Sequence, residues 1–263
     1  MRRLSRILAL CVATPAFAQA PVLKSEVVRR WKAPEATQGV AVDARHFYAV
    51  ANSRIAKYDK ATGEKVAEWS GEKARFPHIN SCEVIGRDLV CASSNFPETP
   101  MTSAVEIFDP RRMVHLRTVA LGQQIGSLTW VARKDGFWWA AFANYDGKGG
   151  EPNRGHAYTQ LVKFDDQWRQ LQAWTFPVSI LKRAEPMSIS GGSWGPDDLL
   201  YVTGHDNAEV YAVRLPKAGS VVEHLATYPV ANTGQGIAWD RSEAGVLWMI
   251  DRPNKKVTAQ RFK

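Results

Sequence analysis

Sulfur and long apolar runs are both scarce in this chain, which has three cysteines and five methionines among 263 residues. Beyond the N-terminus no apolar stretch approaches the roughly 20 residues needed to cross a bilayer as a helix, so an integral helical membrane protein is excluded. Charged residues make up 23%, with 19 Gly and 14 Pro, a composition that excludes collagen, coiled coil and wholesale disorder. There is no Cys-x-x-Cys, no His-Glu-x-x-His and no Gly-x-Ser-x-Gly. Gly147-Lys148-Gly149-Gly150 lacks the Gly-x-x-x-x-Gly-Lys-Ser/Thr spacing of a phosphate loop. The formal charge is +8, but Arg29-Arg30, Arg111-Arg112, Lys182-Arg183 and Lys255-Lys256 lie apart with acids between them. Without a basic stripe and aromatic platforms, nucleic acid is not an expected partner.

What is present begins with an export signal. Residues 1–18 carry Arg2, Arg3 and Arg6, then an apolar stretch over 7–12, then Ala16-Phe17-Ala18 in the small-x-small pattern of a cleavage site. Leu10 before Cys11 does not fit a lipoprotein motif. The sequence therefore predicts a secreted or periplasmic protein with no membrane anchor after cleavage, its residues 19–263 forming one domain. Three of the eight net charges belong to the leader, which leaves a mildly basic domain.

Short strand-like runs recur five times in register. Inner strands are predicted to start at Gly39, Ser81, Ser127, Ser193 and Gly236, at intervals of 42, 46, 66 and 43 residues. Four-stranded propeller blades repeat every 40 to 50 residues or so, so three intervals are ordinary and one carries insertions. Each start is followed by second strands (47–50, 89–92, 137–142, 199–203, 246–250) and third strands (55–59, 104–109, 160–165, 209–215, 256–262). Outer strands end near Trp69, Val119, Trp174 and Tyr228. The fifth unit lacks an outer strand, and the run 26–31 ending in Trp31 matches 65–69 ending in Trp69. The predicted fold is all-β, a five-bladed β-propeller whose last blade is completed by the N-terminal strand, with hardly any helix, since 110–116 suits a helical turn but sits where the repeat wants a strand entry, and a monomer is expected. Six of the ten Trp (Trp69, Trp130, Trp138, Trp174, Trp239, Trp248) are expected in the wedges between blades.

Two cysteines remain after the leader. A two-residue turn at Gly86-Arg87 places Ile85 opposite Asp88, Val84 opposite Leu89, Glu83 opposite Val90 and Cys82 opposite Cys91, predicting a cross-strand disulfide in an oxidising compartment.

In a propeller, the loops entering the inner strands and those joining second to third strands share one face. The entry loops hold Gln38, His78, Asn80, Gln124, Ser190 and Gln235. The second set holds Asn52, Asn95, Asn144-Tyr145-Asp146, His156, His205-Asp206-Asn207 and Asp251-Arg252. The loops 95–103 and 144–159 exceed what a hairpin needs, and long loops on a rigid scaffold are commonly functional. His205 with Asp206 is the candidate acid/base pair. His78, Asn80, Asn95, Asn144, Tyr145, Gln235, Asp251 and Arg252 are the candidate ligand-binding residues, Asp251-Arg252 reading as a local ion pair or an anion clamp. Asn, Asp and Glu oxygens suit Ca²⁺, and His78 with His205 and Asp206 suits another divalent metal. Asn and Asp are also ordinary turn residues.

Leu200-Tyr201-Val202-Thr203-Gly204 followed by Asn207-Ala208-Glu209-Val210-Tyr211 resembles the Tyr-Val-Thr-Asn and NHL types of propeller repeat. Thr37-Gln38-Gly39 and Gly236-Ile237-Ala238-Trp239-Asp240 look like glutamine cyclotransferases, which are secreted five-bladed propellers, and the gluconolactonase type of calcium-dependent propeller is a further analogue. These resemblances imply a propeller; no motif names a reaction. Two functions stay open: an exported enzyme or small-ligand binder (hydrolase, lyase or cyclase chemistry) using the loop-rich face, and a non-catalytic propeller that binds a protein or peptide.

Overall fold

A computed structural model describes residues 24–262; the leader 1–18 lies outside the described residues. The chain opens with β1 (Ser25–Lys32) and then forms four complete blades. Blade 1 is β2 (Gly39–Val42), β3 (His46–Ala51), β4 (Arg54–Asp59) and β5 (Lys65–Ser70); blade 2 is β6 (His78–Ile85), β7 (Asp88–Ser94), β8 (Thr102–Asp109) and β9 (Val114–Gln123). Blade 3 is β10 (Ser127–Lys134), β11 (Phe137–Ala143), β12 (Gln160–Phe164) and β13 (Gln170–Thr175). A helix, α1 (Val178–Ala184), leads to blade 4, made of β14 (Gly191–Trp194), β15 (Leu200–Thr203), β16 (Glu209–Arg214) and β17 (Glu223–Pro229). Blade 5 is β18 (Ala238–Trp239), β19 (Val246–Asp251) and β20 (Lys256–Phe262), with β1 as its outer strand in the order β1-β20-β19-β18.

The five-bladed propeller is thus closed by its N-terminal strand, antiparallel to β20 from Ser25↔Phe262 to Lys32↔Lys256, with one irregularity between Val27 and Arg29. Alternate residues of β1 face inward, and Trp31 stacks on Trp248 at 5.0 Å between centroids. Glu243, between β18 and β19, pairs with Arg29 of β1 and with Arg261 of β20, tying the N-terminal strand to the rest of the blade.

Each wedge between blades is a separate apolar core. Phe47, Tyr58 and Trp248 fill the seam of blades 5 and 1 with Trp31 against them; Tyr48, Ile55, Phe108 and the two cysteines fill that of blades 1 and 2 beside Trp69. Val105, Leu128 and Phe142 join blades 2 and 3 with Trp138; Trp130, Trp139, Trp174 and Trp194 join 3 and 4; Tyr201, Tyr228, Trp239 and Met249 join 4 and 5. All six sequence-assigned tryptophans stand in these seams. A recurring device fixes three inner turns: Asp43 and Asp240 each accept two backbone N–H groups of the following turn and Asp197 accepts one, and each takes one aromatic donor, Tyr48 at 2.6 Å, Tyr201 at 2.8 Å and Trp248 at 2.9 Å.

The hairpin register is as expected, Cys82 opposite Cys91 with Gly86 at φ +63, and the two form a disulfide. Closing so short a loop stabilises by about 2.5 kcal/mol in the chain-entropy treatment.

Three strand starts differ from expectation. β6 begins at His78 rather than Ser81, because an irregularity between Ile79 and Cys82 absorbs extra residues and lengthens the strand. β14 starts at Gly191, two residues before Ser193. β18 starts at Ala238 because Gly236 donates its N–H to Gln38 O of blade 1 instead of to its own blade. The segment 110–116 takes the second of its two readings, a strand entry: Asp109 Oδ1 accepts the N–H of Arg111 and Arg112 in a tight turn and β9 follows from Val114. Helix occurs elsewhere, as α1, which buries Ile180 and Leu181 in the wedge of blades 3 and 4, with Ala184 also buried.

Ring closure carries a direct expectation. Trp31→Ala removes a stacked aromatic from the closing seam and lowers stability by about 3 kcal/mol, and deletion of residues 25–32 abolishes the single cooperative transition. Urea unfolding followed by tryptophan fluorescence checks both; an unchanged midpoint in either variant would show that the ring does not depend on β1.

Candidate functional site

At one end of the ring the inner strands converge onto a floor. A Cβ built on Gly236 would lie 2.5 Å from Ser81 Cβ and 3.0 Å from Gly39 Cα, so only glycine lets blades 1, 2 and 5 approach this closely. One on Gly191 would lie 2.3 Å from the Gln235 carbonyl. Ser81 Oγ donates to Thr129 O at 2.8 Å and Asn80 Nδ2 to Leu128 O at 3.1 Å, tying blades 2 and 3.

Above this floor is a cup of about 50 Å³, and every blade contributes to its wall. Blade 1 supplies Gln38; blade 2 His78, Asn80 and Phe96; blade 3 Thr129 and Tyr145; blade 4 Met187, Ser190 and His205; blade 5 Gln235 and Arg252. Six of the ten residues singled out from the sequence therefore meet in one place.

The chemistry of the wall is specific. Burial pushes His78 down to about 4, with the Arg252 charge acting in the same direction and Asn80 opposing it, so this imidazole is neutral at physiological pH. Its ring lies 5.1 Å from that of Phe96, which meets Tyr145 edge-on at 5.1 Å. Burial raises the Tyr145 phenol to about 12, so it stays protonated. His205 Nδ1 is 2.6 Å from Asp206 Oδ1, and its Nε2 is 3.3 Å from an Arg252 guanidinium nitrogen. A guanidinium can only donate, so Nε2 accepts and Nδ1 carries the proton given to Asp206. Among the described residues Arg252 pairs with no carboxylate, and no Asp or Glu lines the cup. Gln235 is 2% exposed at φ +69, and its Nε2 has no hydrogen-bond partner.

The other four candidates stand outside the wall. Asn95 closes its own loop, accepting from Thr102 N at 2.8 Å and donating to Pro100 O at 3.0 Å. Asn144 is buried and donates to Ile125 O at 2.8 Å and Tyr158 O at 3.3 Å, a brace between loops. Asp251 holds a turn through Asn254 rather than pairing with Arg252. Asp206 is 65% exposed and reaches the cup only through His205. Phe96, Thr129 and Met187 are wall residues that polarity-based reasoning passed over; Phe96 had a signal, its place in a long loop on the right face.

The cup lacks the donor set of the expected metals, whereas Asp146, His156 and Glu185 on the 144–159 loop and the helix end bring three potential ligand atoms within 4.8 Å of one another. The cup offers two imidazoles but no carboxylate, and its one cation, Arg252, repels a divalent ion; Ca²⁺ needs six to eight oxygens. His156, at the far end of the 144–159 loop, holds Asp146 with Nδ1 and faces Glu185 at 3.4 Å with Nε2. These carboxylates lie at opposite nitrogens of one ring, the arrangement of a clasp between loop and helix end, reinforced by Asp146 N donating to Pro186 O at 3.0 Å. Beside it the loop borders a larger, open cavity of about 380 Å³ lined by Tyr145, Asp146, Gly147 and residues 150–155.

No family model matches the chain, and no curated protein does. Solved structures share its architecture. The glutaminyl cyclase of Myxococcus xanthus is 13% identical with a TM-score of 0.64, the match covering 93% of this chain and 99% of that one. The PQQ-bound aldose sugar dehydrogenase of Streptomyces coelicolor is 10% identical at a TM-score of 0.54, covering 91% and 98%. A chain of the mitotic checkpoint complex is 12% identical at 0.52, covering 98% of both. At such identities the likeness establishes the β-propeller class and nothing finer; its members include enzymes and non-enzymes.

The His78 environment has a pH signature. Its folded pKa is depressed, so between pH 6.5 and 4 the unfolded chain binds more protons and stability falls as pH drops through that window. A proton NMR titration of the His78 ring is expected to show a midpoint near 4, and His78→Gln should lose less stability than wild type over the same interval. A midpoint near 6.5 would contradict the burial assigned to this ring.

Proposed function

We propose that the protein is an exported propeller that binds a small polar ligand in the cup at its loop-rich face. The observation that carries this reading is convergence: five blades deliver Gln38, His78, Asn80, Thr129, Ser190, His205, Gln235 and Arg252 to one recessed cavity. A protein-binding propeller would be better served by a shallow apolar face, whereas most residues of this recessed wall carry polar groups. Export rests on the leader pattern of residues 1–18 and is supported by the Cys82–Cys91 disulfide, a bond that persists in oxidising compartments. Among the described residues no helix is long and apolar enough to cross a membrane.

If the ligand is turned over, hydrolase, lyase or cyclase chemistry each requires proton transfer at the bound group. His205 is the wall residue with a carboxylate behind it, so that role falls to His205, with Asp206 fixing its tautomer. Hydrogen bonds to the ligand would come from Arg252, Gln235, Thr129 and Ser190.

A thermal-shift screen of small polar metabolites on the mature protein tests the reading. A ligand at about 100 times its Kd stabilises by about 2.7 kcal/mol. Compounds that raise the Tm of wild type are expected to lose that effect in Ser190→Leu, which fills the cup, and in Arg252→Gln, which removes its charge and leaves it open. Hits that stabilise all three proteins equally would place the ligand site elsewhere.

A further inference from the structure

The cup holds one formal cation and no compensating anion. Arg252 is half-buried at the end of β19, and its described partner is the neutral Nε2 of His205, an acceptor without charge. The acid next to it, Asp251, is turned away and consumed by Asn254 Nδ2 at 3.0 and 2.9 Å. Asp206, the nearest acid on blade 4, is engaged by His205 Nδ1. A guanidinium has five N–H donors, and one of them is used.

A second, independent group points the same way. Gln235 is 2% exposed, and its Nε2 is a buried amide nitrogen without a partner. Leaving such a buried donor unpaired is unfavourable, because it loses its water without gaining a partner. Its backbone is held by Gly204 O accepting from Gln235 N at 3.2 Å and by Thr203 Oγ1 donating to Gln235 O at 2.7 Å, so the side chain stays at the wall. The hydroxyls of Thr129 and Ser190 add weakly engaged donors, their contacts being 3.4 and 3.5 Å long. The volume of about 50 Å³ takes one small planar group and leaves the rest of a ligand to pass out beside Phe96, Tyr145 and Met187.

Resting on the small-ligand reading above, we infer that the group received by the cup is a carboxylate, held by Arg252 and by the amide of Gln235. A carboxylate supplies the missing negative charge, is planar, and accepts at both oxygens, which suits a fork-shaped donor and a second amide beside it. An ammonium or amidinium head meets Arg252 with like charge, and a neutral amide satisfies the donors without neutralising the guanidinium.

Three probes of nearly equal shape separate these cases: benzoate, benzamide and benzamidinium, with inorganic phosphate as a fourth. Binding to the mature protein is measured by titration while the His78, His205 and Gln235 side-chain resonances are followed by NMR. Benzoate is expected to shift all three and to bind at least tenfold tighter than benzamide, with no binding of benzamidinium and weaker binding of phosphate. Arg252→Gln is expected to reduce the benzoate preference to less than twofold. Gln235→Leu should weaken benzoate about tenfold with the fold intact by circular dichroism. Equal or tighter binding of benzamide or benzamidinium in the cup overturns the carboxylate inference while the small-ligand reading stands, and tighter phosphate replaces the carboxylate by a tetrahedral anion. If none of the four shifts a cup resonance, both readings fall.

Discussion

The structure depends on the pairing of β1 with β20. A five-bladed array left open would expose two sheet edges and two apolar blade faces, and edge strands are templates for unwanted association. The N-terminal strand covers the open flank of blade 5, and its Trp31 is stacked in the one seam that joins the two ends of the chain. Once the ring is closed, the blades are held at a fixed separation by five aromatic wedges. The inner strands then have no freedom to part at Gly39, Ser81 and Gly236. The floor of the cup is thus set by closure far out on the rim.

The candidate site lies where that constraint is tightest. Close approach of the inner strands leaves too little room for a broad channel, and what remains is a small polar recess with every blade represented. Burial keeps His78 neutral and Tyr145 protonated, so neither contributes charge. The His205 tautomer is fixed from both sides by Asp206 and Arg252. The electrostatic character of the recess therefore reduces to one guanidinium, which is why an anionic ligand group accounts for the site better than a metal ion does.

Much of this was legible in the residues. The periodicity of Gly39, Ser127 and their counterparts carried the blade count, the likeness of 26–31 to 65–69 carried ring closure, and the Gly86-Arg87 turn carried the disulfide register. The rule that entry loops and second-to-third loops share a face brought six residues of the cup together. It failed at Asn95, Asn144 and Asp251 because loop position does not say whether a short polar side chain turns outward to a ligand or back onto its own backbone. Asn and Asp do the second so readily that local hydrogen bonds won at all three. The helix Val178–Ala184 was hidden because it is seven residues long and begins with β-branched residues of weak helical preference; burial of Ile180 and Leu181 in a wedge holds it. Thr129 and Met187 could not have been found by polarity or loop length, since one sits on an inner strand and the other beside a proline.

The central claim is that this recess, and no other surface, receives the ligand through Arg252. The most direct measurement is a crystal structure of the mature protein soaked with 4-bromobenzoate, with the bromine located by its anomalous signal. The account predicts a carboxylate within hydrogen-bond distance of Arg252 and Gln235 Nε2, with the bromine outward beside Phe96 and Met187. Bromine peaks confined to the outer strands or the 144–159 loop, with Arg252 still directed only at His205, would contradict it.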